Sequence, residues 1–146
     1  MDVVVEEWET GDVLCGDVGV ASPTCDSYLA AAQHPLGAAI RRASSKHGKY
    51  DRELADGHRF EAWIVETFGA LGPEARARFQ RLVGIVQREG EQAGDRYAGA
   101  RFAQRWLQRL SICLQRGNAV TLIRRSRADH RRASGQRGRP VAFDHV

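Results

Sequence analysis

At 146 residues with 42% hydrophobic side chains, the chain has the size of one domain and enough apolar surface for a modest core. No run approaches the ~18 apolar residues of a membrane span, and the acidic start lacks the basic-then-apolar order of a signal peptide, so a soluble, non-secreted protein is expected. The formal charge of +4 conceals a division: residues 1–26 carry seven acids and no Lys or Arg, and residues 27–146 a net +11. From Arg101 to Arg139 there are eleven arginines against one acid, Asp129. An acidic centre beside a long basic surface suits a phosphate-handling protein, with arginines holding the polyanion and carboxylates a cation. The competing account is that exposed helices in an Ala-, Gly- and Arg-rich chain are simply basic. Cys15, Cys25 and Cys113 are odd in number and widely spread, which favours reduced thiols over a disulfide framework.

Two apolar runs open the chain, Val3-Val4-Val5 behind Asp2 and Val13 to Val20 around Asp17. A hairpin loop centred between Glu9 and Thr10 pairs residues whose numbers sum to 19 and sets Asp2 opposite Asp17. Opposed residues share a face of the sheet, with Cβ atoms roughly 4.5–5.5 Å apart. Two carboxylates that close repel unless something positive lies between them, and oxygen ligands on strands suit magnesium or manganese. A tighter turn at Thr10-Gly11 would instead bring Gly19 opposite Asp2, and either aspartate also reads as an ordinary solvent-facing residue.

Pro23 breaks the second strand, and Asp26 to Gln33 reads as a short helix capped by Asp26 or Ser27. A longer helix from about Leu36 to Ala55 is expected to bury Leu36, Ile40, Ala43, His47, Tyr50 and Leu54. Beside that stripe, Arg42, Lys46, Lys49 and Glu53 share a face. Arg59 to Val65 is rich in β-formers and reads as a third strand. Pro73 begins a helix to about Glu89, burying Ala75, Phe79, Leu82, Val83 and Val86. A long helix from Asp95 to about Arg125, with a kink expected at Gly117, carries the seam Ala103, Trp106, Leu110, Cys113, Gly117 and Val120. That seam would pack on the Pro73 helix or, less favourably, form a weak homodimer. Residues 126–146 lack apolar periodicity and read as a basic disordered tail. The organisation expected is therefore an α/β core over 1–72, a helical extension over 73–125 and the tail. No phosphate-binding glycine motif and no Gly-x-Ser-x-Gly elbow appears.

Asp2, fourteen intervening residues, Asp17 on a Val-rich strand, and Lys46-x-x-Lys49-Tyr50 on the following helix together resemble the restriction-enzyme-like endonuclease domain of site-specific non-LTR retrotransposons, of the PD-(D/E)XK class. Glu66-Thr67-Phe68-Gly69, Leu71 to Ala75 and Leu110 to Ala119 are similar to the segment that follows this domain in retroelement proteins, so the likeness covers roughly residues 1–125. It implies a truncated restriction-endonuclease-like core of hairpin, helix and third strand, since the family's preceding helix and strand have no counterpart and Met1 stands in place of its proline. The usual lysine two residues after the second acid is Gly19 here; in the retrotransposon subgroup a helix lysine takes that role, which Lys46 or Lys49 fits. The resemblance implies a Mg²⁺- or Mn²⁺-dependent DNA endonuclease, intracellular and acting in the nucleus. Asp2 and Asp17 would hold the metal, Lys46 and Lys49 would serve catalysis, and Arg42, Arg124, Arg125 and Arg127 would bind nucleic acid. A catalytically inactive nucleic-acid-binding remnant and a helical protein-interaction module are the alternatives.

Overall fold

The computed structural model describes residues 2–6, 13–54 and 58–136. Within them lie β1 (Val3–Glu6), β2 (Val13–Ala21), a single 3-10 turn (Ala31–Gln33), α1 (Gly37–Tyr50), β3 (His58–Glu66), α2 (Pro73–Gln92) and α3 (Ala98–Gln136). The protein is mixed α/β, with one three-stranded sheet in the order β1-β2-β3 and three α-helices among the described residues.

β1 and β2 pair antiparallel, with Val3 opposite Gly16 and Glu6 opposite Val13. This is the register whose partners sum to 19. The hairpin loop itself, including Glu9, Thr10 and Gly11, lies outside the described residues. β3 runs parallel to β2, from Val13 opposite His58 to Ala21 opposite Glu66, and α1 is the crossover between them. One sheet face presents Cys15, Asp17, Gly19 and Ala21 of β2 and Phe60, Ala62, Ile64 and Glu66 of β3. α1 covers this face with Ala38, Ala39 and Ala43, and the buried cluster is completed by Val13, Tyr28, Tyr50 and Leu54 at its margin.

The helix packs closely because its inner residues are small, and this turns Ile40, expected in the core, outward to 46% exposure. Gly37 permits a similar approach at the start of α1, where a Cβ would stand 1.7 Å from the Ala31 carbonyl oxygen. Glu66, buried at the end of β3, accepts a hydrogen bond from the Ala39 N–H at 3.2 Å. It thereby satisfies one of the amides that a helix start leaves unpaired and places a carboxylate where the helix dipole favours it.

The outer edge of β3 is closed by the chain itself. Ala62 N–H donates to Glu74 at 2.7 Å, Gly72 N–H to the Ile64 carbonyl at 2.8 Å, and Glu66 N–H to the Ala70 carbonyl at 2.8 Å. α2 begins at Pro73, which needs no amide partner at that position. On the opposite sheet face, Trp63 lies across Gly16, where a Cβ would meet its ring at 2.8 Å. α2 and α3 pack together through Phe79 and Phe102, whose rings stack at 6.2 Å.

Several expected elements differ. Asp26 to Gln33 does not form an α-helix but successive tight turns, Tyr28 N–H to Cys25 O and His34 N–H to Ala31 O, before the extended His34 that Pro35 requires. α1 stops at Tyr50 instead of about Ala55, and Ala55 lies outside the described residues. α3 runs unbroken through Gly117, the expected kink, and past Arg125 to Gln136. Ser126 to Gln136 therefore has helical backbone, as Arg and Ala favour even without an apolar face; residues 137–146 lie outside the described set. The inner face of α3 is rotated from the expected seam: Leu114 is buried, whereas Trp106, Cys113 and Val120 are exposed. Asn118, one turn after Leu114 on that face, donates to the Thr67 carbonyl at 2.9 Å. Leu82, expected inside α2, is 43% exposed. No described helix is long and apolar enough to cross a membrane.

Candidate functional site

The register places Asp2 beside Asp17 on the face that α1 covers. Asp17 is buried at 3% exposure in the middle of β2. The Asp2 carboxylate accepts a hydrogen bond from the Val18 N–H at 2.9 Å, which ties the chain start to the second strand and keeps the two carboxyl groups adjacent. Lys46, one turn before the end of α1, donates directly to Asp17 Oδ2. Burial pushes the Asp17 carboxyl up, but the hydrogen bond and charge of Lys46, with Asp2 alongside, outweigh it and hold the carboxyl below its ordinary value. Asp17 is thus a carboxylate at neutral pH despite its burial.

Beside this cluster opens a pocket of about 200 Å³ lined by Tyr28, Arg42, Ser45, Lys46, Lys49 and Tyr50. Arg42, Lys46 and Lys49, with Ser45 between them, follow helical steps of three and four along α1, and so reach one side. Arg42 donates to the Tyr28 hydroxyl at 3.4 Å, and Lys49 to the Tyr50 hydroxyl at 3.2 Å while lying 4.7 Å above that ring. The Tyr50 bond is the main cause of a raised Lys49 pKa. Tyr50 in turn packs on Phe60, with ring centroids 5.1 Å apart.

Above Gly19, two residues after Asp17, the space is occupied by Arg42. A Cβ there would stand 2.8 Å from Arg42 Nε and 2.9 Å from Ile64 Cδ1. No side chain fits at position 19 unless Arg42 moves, and the cations of this site consequently come from α1.

Next to Lys46, His47 is held between two acids, with Nδ1 3.0 Å from Asp51 and Nε2 3.0 Å from Glu74. Burial lowers its pKa, but the bonds to Asp51 and Glu74 outweigh that and raise it. His47 thereby fastens α1 to the start of α2, one residue after Lys46.

The structure therefore brings together Asp2, Asp17 and Lys46, and sets Arg42 and Lys49 around the adjoining pocket. Arg124, Arg125 and Arg127 are elsewhere, on the exposed surface of α3. Tyr28, Ser45, His47 and Glu74 were not singled out as site residues from the sequence. Ser45 was legible, lying three residues after Arg42 and four before Lys49; Tyr28 and Glu74 arrive from other elements and left no local signal.

No group of three or more His, Cys, Asp or Glu side chains placed to hold a metal ion occurs among the described residues. Two adjacent carboxylates are still a fitting donor set for a hard divalent cation, since Mg²⁺ retains several waters and commonly takes only one or two protein carboxylates together with substrate phosphate. Comparison with models of known protein families, with curated proteins and with solved structures gave no match for this chain.

Proposed function

We propose that this chain is a metal-dependent endonuclease-like domain of retrotransposon type that nicks DNA phosphodiester bonds. The observation that carries the reading is the pairing of Asp17, opposed to Asp2, with the ammonium of Lys46 at the mouth of a cationic pocket. An antiparallel hairpin followed by a helical crossover to a parallel strand is also the order expected of a restriction-endonuclease-like core.

Asp2 and Asp17 would hold Mg²⁺ or Mn²⁺, which when bound polarises a phosphodiester and makes a coordinated water more acidic. Lys46, held at that edge by Asp17, places a positive charge where the phosphorus centre gains negative charge during attack. Lys49 and Arg42 hold the adjacent phosphate and so orient the strand. The backbone bond from Val18 to Asp2 keeps both carboxylates in place before substrate arrives.

Incubation of supercoiled plasmid with purified protein and Mg²⁺ or Mn²⁺ tests the proposal. Nicked circles are expected, and are expected to vanish with chelator and with Asp17→Ala. Absence of nicking by a protein shown to be folded, or nicking that survives Asp17→Ala, overturns it. Salt-sensitive DNA binding without cleavage would then favour the binding remnant.

A further inference from the structure

The pocket beside the carboxylates has an unusual lining. Tyr28, Arg42, Ser45, Lys46, Lys49 and Tyr50 all offer hydrogen-bond donors, and none is an acid. Both tyrosine hydroxyls accept a bond from a neighbouring cation, which leaves their O–H protons to donate elsewhere. Arg42 is under-used: its bond to Tyr28 is long at 3.4 Å, and its buried Nε has no partner among the described residues. Cations and neutral donors gathered with no acid among them make a field that favours an anion.

The charge balance narrows the anion. The Lys46 charge is matched by Asp17. Arg42 and Lys49 add two charges that no residue of the lining balances; the nearby acids, Glu53 and the Asp2–Asp17 pair, lie outside the lining. An internal phosphodiester brings one negative charge, whereas a phosphate monoester carries about 1.5 to 2 at neutral pH and three acceptor oxygens.

We propose that this pocket is a receptor for a terminal phosphate monoester of a nucleic-acid strand, so that the protein holds a phosphorylated strand end beside the carboxylate pair. The assignment to nucleic acid rests on the function proposed above, but binding at the pocket requires neither metal nor strand cleavage. Arg42 supplies the planar guanidinium, Lys49 the exposed charge, and Ser45 with the two tyrosines the neutral donors.

The test is fluorescence anisotropy in the presence of chelator, with internally labelled single-stranded oligonucleotides bearing a 5′-phosphate, a 3′-phosphate or hydroxyls at both ends. A phosphorylated end is expected to bind about tenfold more tightly than the hydroxyl form, the equivalent of one further charge-assisted hydrogen bond. Arg42→Gln and Lys49→Gln should each abolish that preference. Lys49 is exposed, so its variant reports even if Arg42→Gln does not fold. Equal binding of all three oligonucleotides, or a preference that survives Lys49→Gln, overturns the proposal. Stronger competition by a phosphoserine peptide than by the phosphorylated oligonucleotide overturns its assignment to nucleic acid. A phosphate preference without plasmid nicking would sustain this pocket and remove the nuclease reading; nicking without the preference would do the reverse.

Discussion

Replacing Lys46 by Met should invert the pH dependence that Asp17 gives to stability. The Asp17 side chain is 4% exposed and that of Lys46 21%, so the substitution leaves a buried carboxylate without its ammonium. Removing one partner of a buried pair costs about 3–5 kcal/mol. With a fifth of the Lys46 side chain in contact with water, the lower end applies, about 3 kcal/mol at neutral pH against a total stability of roughly 5–15 kcal/mol. In the native protein the Asp17 carboxyl lies below its ordinary value of 3.8, so the unfolded chain binds more protons in the acid range. This contribution is present above 3.8 and lost as pH falls through the lowered value. Without Lys46, burial is the dominant influence and lifts the folded-state pKa above the unfolded one. The variant should then lose stability as pH rises from 3.8 toward that lifted value. Urea unfolding at a series of pH values between about 3 and about 7, in chelator, measures both curves. Parallel curves for the native and Lys46→Met proteins would refute the reasoning, as would a loss below about 1 kcal/mol, the scale of an exposed pair.

His47 has the opposite sign. Its pKa is raised above 6.5 by Asp51 and Glu74, so its contribution is complete below 6.5 and lost as pH rises through the raised value. His47→Gln should flatten stability across that interval in the same unfolding experiment. Gly19→Lys, which puts a lysine two residues after Asp17, should destabilise by about 1–3 kcal/mol through collision with Arg42 and Ile64. It should also fail to restore nicking to Lys46→Ala; restored nicking with unchanged thermal stability would contradict the steric account.

Local patterns carried the strands and the carboxylate pair. Val-rich runs separated by a short polar stretch put Asp2 and Asp17 on one face, but left two registers open; the structure has the one that sets Asp2 against Asp17 and not the one that would bring Gly19 there. The same patterns misjudged α1. They ranked Ile40 as core because it is apolar, whereas close packing on the sheet selects size, and Ala38, Ala39 and Ala43 take the inner positions. The seam of α3 failed for a related reason: the side that faces inward is the one carrying Leu114 and Asn118, and the contacts made there, such as Asn118 to the Thr67 carbonyl, join residues far apart in sequence. The helix lysines were legible as a shared face. That Lys46 rather than Lys49 reaches Asp17 depends on how α1 lies on the sheet, and Glu74, which holds His47 of α1 from the start of α2, is a contact that the local pattern does not show.

The sheet joins two kinds of pairing, a local antiparallel hairpin and a parallel contact that must wait for α1 to cross. Hairpins close in microseconds, while pairings across a long intervening segment bear a greater loop-closure entropy and come later. During refolding the two carboxylates are therefore brought face to face before the ammonium that relieves them has docked. Refolding is then expected to slow as pH rises and the facing carboxylates ionise, and stopped-flow refolding at a series of pH values checks this.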